Sequence, residues 1–250
     1  MTNEQNANSI NTELLDTFLE WEQKSNYIDI ARENGLSRPY VCSISNNYFN
    51  SEKRIMIVGQ ETKDFPSFED KWLEPDIQKW GVEYLEKQLW NIGDQKHNRS
   101  AFWKLFRYIE SNTGYCPCWN NLDKAHRIID GKTKPLTVEL EKALNMIKLS
   151  GEFTILQKEI AIAKPNAVLF ITGPDYYQSM AASMNIDENE LKLLKPTVSC
   201  LCSNISQVSK IGVPVLWAYH PTFLNRNETN KQLFSKATNI ICEWLSNNQP

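Results

Sequence analysis

Four polar clusters break otherwise apolar stretches of this 250-residue chain. They are Gly59-Gln60-Glu61-Thr62-Lys63-Asp64 after "RIMIV", Trp119-Asn120-Asn121-Leu122-Asp123-Lys124 after "YCPC", Thr172-Gly173-Pro174-Asp175 after "AVLFI", and His220-Pro221-Thr222-Phe223-Leu224-Asn225-Arg226 after "VPVLWAY". A turn needs Gly, Pro, Asn or Asp, but it has no need of Gln-Glu in one place and His in another. Glu61, Asp64 and His220 are groups that move protons, and the amides of Gln60, Asn120 and Asn121 both donate and accept hydrogen bonds. Brought to one place, carboxylate, imidazole and amide suit acid–base chemistry on a polar substrate.

Only a particular fold brings them together. Residues 55–58 form a short apolar run closed by Gly59, and "NAVLFITGPDYY" and "VPVLWAYHPTFLNR" are two more such runs. Between them lie helical patterns. Residues 11–25 carry Leu14, Leu15, Phe18, Leu19 and Trp21 on one stripe, with Asn11 or Thr12 as cap. Residues 77–90, 100–111 (stripe Phe102, Leu105, Phe106, Ile109, capped by Ser100), 152–163 (ended by Lys164-Pro165) and 228–245 complete the set. Continuous apolar strands alternating with helices predict an α/β fold, a mostly parallel sheet covered on both faces. In such sheets ligands bind just beyond the carboxyl ends of the strands, which is where the polar clusters fall.

Composition bounds the rest. Lys and Arg number 27 against 30 Asp and Glu, so the net charge of −3 gives no global attraction to phosphate backbones or anionic membranes. Any nucleic-acid contact must be local, and the densest basic stretch, "KAHRIIDGKTK", supplies Lys124 and Arg127 as candidates while reading more simply as a solvated loop. Residues 1–10 read as a flexible tail and residues 11–250 as one domain. No leader pattern or membrane-length apolar run is present, so a cytoplasmic protein without a membrane partner is expected. The cysteines include two Cys-x-Cys pairs, Cys116/Cys118 and Cys200/Cys202, rather than the Cys-x2-4-Cys knuckle of metal sites. In a strand this spacing puts two small apolar side chains on one face, so reduced cysteines, no metal and no cofactor are expected.

Taken in order, the clusters resemble the uracil-DNA glycosylase superfamily. Gly59-Gln60-Glu61-Thr62-Lys63-Asp64 occupies the slot of the family's Gly-Gln-Asp-Pro-Tyr-His motif, and His220-Pro221-Thr222-Phe223-Leu224 that of its His-Pro-Ser motif with a following leucine. Asn120 or Asn121 in "WNNL" fits the amide that reads the base edge. The resemblance spans residues 54–245 and implies a three-layer α/β/α sandwich with a short, mostly parallel central sheet. Two residues depart from the family pattern: Glu61 replaces an aspartate with a longer carboxylate, and Lys63 stands where a tyrosine excludes a thymine methyl.

The resemblance further implies hydrolysis of the N-glycosidic bond of a base in DNA. That reaction passes through an oxocarbenium-like sugar while the base leaves carrying negative charge. Glu61, with Asp64 nearby, and His220 are then the catalytic residues. Gly59, Gln60, Asn120 and Asn121 bind the base, and Phe65 or Phe68 stacks on it. Leu224 is the wedge that fills the vacated stack, and Arg226, Lys124 and Arg127 meet DNA. Two alternatives stay open: a module that binds a nucleobase, nucleotide or nucleic acid without cleaving it, and a hydrolase of another small substrate.

Overall fold

The computed structural model describes residues 3–61, 65–68, 77–90, 100–226 and 228–248. Lys63 and Asp64 lie outside the described residues. Among these residues the central sheet has five strands in the order β2-β1-β5-β7-β6. They are β1 (Arg54–Glu61), β2 (Cys116–Asp123), β5 (Ala167–Phe170), β7 (Val215–Ala218) and β6 (Cys202–Asn204), with a separate hairpin of β3 (Arg127–Ile129) and β4 (Lys132–Lys134). β2, β1, β5 and β7 run parallel, and β6 pairs antiparallel to β7 at the edge.

The strands are buried on both faces, which is why they read as unbroken apolar runs: Ile55, Met56, Ile57 and Val58 have no exposed surface, nor do Ala167 to Phe170. One helical layer comprises α1 (Asn3–Ser25), α3 (Asn46–Asn50), α7 (Ile155–Ala163) and α8 (Tyr177–Met184), with α6 (Val138–Asn145) packed on α8. The other comprises α4 (Ile77–Trp90), α5 (Ala101–Thr113), α11 (Pro221–Leu224) and α12 (Glu228–Asn247). Side chains alternating along β2 reach both layers. Trp119 packs on Phe102 and Trp103 of α5, whereas Asn120 bonds to Glu159 of α7. The chain is therefore a three-layer α/β/α sandwich. A second apolar cluster, around Phe18, Trp21, Tyr27, Leu36 and Leu144, ties α1 and α2 (Tyr27–Asn34) to α6.

Several boundaries differ from the sequence reading. Of the expected flexible tail, residues 3–10 are the start of α1, with Ala7 buried and Ile10 packed against the core. Asn11 is not a cap. It lies inside α1 and pairs with Ile44, donating through Nδ2 to the carbonyl at 3.0 Å and accepting the amide at 2.8 Å. α7 begins later than expected because Thr154 and Gln157 form a capping box there, and it ends on Lys164 in the left-handed region (φ 48°) before Pro165. "WNNLDK" is the end of a strand buried throughout rather than a polar exit.

Cys116 and Cys118 are buried on β2 as the spacing predicts, and burial holds both thiols up to about 12. The second pair is split. Cys202 is buried on β6, but Cys200 precedes the strand and is exposed. No helix among the described residues is long and apolar enough to cross a membrane.

Candidate functional site

The carboxyl ends of β1, β2, β5 and β7 lie side by side, and the turn after β5 links them. Gln60 donates from Nε2 to the Thr172 carbonyl at 2.6 Å, and the Tyr176 hydroxyl donates to Glu61 Oε2 at 2.5 Å. On the other side Trp217 of β7 donates from Nε1 to Thr172 Oγ1 at 3.1 Å and to the Gly173 carbonyl at 3.2 Å. The Gly173 amide donates to Ala218, and its φ of 77° is left-handed backbone that suits glycine. A Cβ on Gly173 would stand 3.6 Å from the His220 amide nitrogen, so this turn sits between the end of β1 and His220.

His220 caps α11. Its Nδ1 accepts from the Thr222 amide at 3.3 Å, which requires an unprotonated Nδ1 and puts the proton of the neutral ring on Nε2. The ring lies 6.2 Å from that of Phe102. Phe102 also backs Gly59, whose absent Cβ would fall 3.2 Å from Phe102 Cε2 and 2.8 Å from Asn121 Oδ1. Gly59, Asn121, Phe102 and His220 thus form a run of neighbours at the sheet edge, with Gly59 and Asn121 buried.

The two asparagines separate. Asn120 points toward α7, fully buried, and donates from Nδ2 to Glu159 Oε2 at 2.9 Å. Its Oδ1 accepts from Lys124 Nζ at 2.7 Å and from the Asn121 amide at 2.8 Å. Asn120 is therefore structural, which corrects its assignment to base binding. Asn121 points the other way. Trp119 Nε1 donates to its Oδ1 at 3.0 Å, which fixes the amide orientation, while its buried Nδ2 meets no hydrogen-bonding partner among the described residues. An enclosed donor left unmade costs about 1–3 kcal/mol, and a ligand acceptor would relieve it.

Other expectations also change. Lys124 cannot meet phosphate. It is 2% exposed and bound to Glu159 Oε2 at 2.6 Å, clamped as well to the Asn121 carbonyl at 3.3 Å. Leu224 is not a wedge either, because the single turn of α11 rotates it into the core, 3% exposed. Arg127 lies on the β3–β4 hairpin and donates from Nε to the Pro135 carbonyl at 2.9 Å. Arg226 is exposed at the end of α11. Phe68 is taken up by the second core, 6.0 Å from Tyr27, whereas Phe65 is half-buried against the main one and remains the stacking candidate.

The sequence reading missed Tyr176, Asp123 and Glu159. Glu159 had a readable signal, since it stands on the apolar stripe of α7 between Leu156 and Ile160. An acid there demands a buried cation. Asp123 is wholly enclosed, and burial, reinforced by Glu141 and Glu61, holds its carboxyl well above the ordinary range. Burial also raises Glu141, and burial followed by Glu61 raises the Tyr176 hydroxyl. Among the described residues no group of His, Cys, Asp and Glu is arranged to hold a metal ion.

The closeness of Gly59 to Asn121 gives a first expected result. Gly59→Ala should destabilise the protein by about 1–3 kcal/mol, because the new methyl strikes an oxygen that Trp119 holds in place. Urea unfolding checks this, and a variant as stable as the parent would mean that the amide can swing aside. No protein-family model and no curated protein matches the chain.

Proposed function

We propose that this sheet edge binds a nucleobase and that the protein is an N-glycosyl hydrolase of the uracil-DNA glycosylase kind, acting on a base in DNA. The observation that carries the reading is the unsatisfied Nδ2 donor of Asn121, buried beside Gly59 at the end of a parallel sheet. A base carbonyl is an acceptor that would complete it. Glu61, held by Tyr176, supplies the carboxylate for the attacking water and the positive sugar. His220, as the neutral ring with its proton on Nε2, supplies a donor for the charge that develops on the departing base. Phe65 supplies an aromatic face for stacking.

A second reading keeps the nucleobase but not the cleavage of DNA. It is favoured by the burial of Lys124 and Leu224, which removes a phosphate contact and the wedge. One experiment separates the two. Oligonucleotides containing uracil or hypoxanthine are incubated with the protein and assayed for alkali-labile abasic sites, and thermal stability is followed with the same oligonucleotides and with free bases. Abasic product is expected. A rise in stability without product, equivalent to about 2.7 kcal/mol at a ligand concentration 100 times Kd, points to the binding module. Neither effect would remove the nucleobase assignment.

A further inference from the structure

Asp123 takes no part in the base contacts, yet its surroundings are specific. It stands opposite Glu61 in the register of β1 and β2, on neighbouring parallel strands about 4.8 Å apart. Its Oδ1 accepts from Asn145 Nδ2 of α6 at 2.6 Å, and its buried Oδ2 meets no hydrogen-bonding partner among the described residues. The groups facing it from the surrounding elements are Glu61 on β1, Glu141 on α6 and the Tyr176 hydroxyl on the 3-10 turn (Pro174–Tyr176) before α8. Glu141 is itself held by Ser179 of α8 at 2.6 Å. The neighbouring cation, Lys124, commits its ammonium to Glu159 at 2.6 Å and Asn120 at 2.7 Å.

An ionised carboxyl so enclosed, with one donor and acidic neighbours, is strongly disfavoured against its neutral form. Glu61 differs, being half-buried and accepting the Tyr176 hydroxyl at 2.5 Å. Two adjacent carboxyls in such unlike environments separate into an acid and a base.

We propose that Asp123 is carried as the neutral acid beside Glu61, so that the pair holds one negative charge, on Glu61, and that Asp123 is thereby a positioning residue for the hydrolysis proposed above, on which its functional part rests. Deprotonating Asp123 at alkaline pH places a second charge beside Glu61. The charge distribution that serves the water and the positive sugar is then lost.

Asp123→Asn tests this, because the amide keeps the acceptor for Asn145 and puts a donor in place of the acid hydroxyl. Stability is read first. A carboxyl raised in the folded state contributes stability that is complete below its unfolded value of about 3.9 and is lost as pH climbs toward the folded value. The parent should therefore lose stability as pH rises from about 4 toward alkaline values. Asp123→Asn should match it at the acid end and show the higher urea midpoint at the alkaline end. Turnover is read second: the alkaline fall in kcat of the parent should vanish in the variant while the acid limb stays.

Identical pH dependences of stability in the two proteins would overturn the neutral acid. So would a carboxyl carbon-13 shift of ionised Asp123 in the parent at about pH 7, a measurement that stands even if the variant fails to fold. A neutral Asp123 with an unchanged alkaline limb would overturn the positioning role. Absence of any turnover removes the hydrolase reading and that role with it, whereas the proton on Asp123 is still decided by stability and carbon-13.

Discussion

His220→Asn should lower turnover of a base-containing oligonucleotide about 100-fold to 1,000-fold, the 2.7–4 kcal/mol typical of losing one donor to a developing oxyanion. Asparagine is the informative replacement because His220 also caps α11, accepting the Thr222 amide at 3.3 Å. An asparagine oxygen serves that cap well, so the fold is preserved while the imidazole Nε2 donor is removed. The charge on the departing base exists only in the transition state, so kcat should fall far more than ligand affinity. Turnover, Kd and melting temperature on the one variant distinguish the outcomes. A fall in Kd binding strength equal to the fall in rate indicates recognition of the ground state, as the binding module requires. A loss of melting temperature with constant activity per folded molecule indicates a structural turn. Unchanged turnover in a well-folded variant would end the assignment of His220 to catalysis.

Lys124→Met should cost about 3–5 kcal/mol, the usual penalty for stranding one partner of a buried ion pair. Lys124 and Glu159 have side chains 1% exposed, and their 2.6 Å contact is the centre of a network that also holds Asn120 and the Asn121 carbonyl. Without the ammonium, Glu159 keeps, among the described residues, the Asn120 donor on Oε2 alone, and its buried Oε1 has no hydrogen-bonding partner there. Against a typical stability of about 5–15 kcal/mol this is a large fraction, and the melting temperature should drop by roughly 6–20 °C. Lys124→Met combined with Glu159→Gln should recover most of the loss, since a neutral amide needs no counterion. Urea unfolding of both variants checks the pair. A double variant as unstable as the single one would assign the cost to packing rather than charge, and a single variant within about 1 kcal/mol of the parent would exclude a buried charged pair.

Both residues show where local pattern stops being informative. "KAHRIIDGKTK" reads as a solvated basic run, and Arg127, Lys132 and Lys134 do lie on the surface hairpin β3–β4. Lys124 leads the same run but is enclosed, because its partner lies 35 residues away on α7. A charge run has no period that marks which member turns inward. Leu224 presents the converse case, since an apolar residue after His-Pro suits either an exposed wedge or a core contact, and the packing of α11 on α12 and α5 selects the core.

The chain by itself determined the alternation of strands and helices, the parallel sheet covered on both faces, and the gathering of polar clusters at its carboxyl edge. Those features follow from apolar periodicity and turn chemistry over a few residues, which act locally whatever the rest of the chain does. Tertiary structure alone decided which of the adjacent Asn120 and Asn121 faces the candidate site. Strand side chains alternate, so the register of β2 against β1, Gly59 opposite Asn121, sets that choice. It also decided that Tyr176 holds Glu61, that Asp123 lies enclosed opposite it, and that β6 closes the sheet antiparallel. These depend on contacts between residues far apart in the chain, and no local pattern carries the energy of a neighbour that only folding supplies.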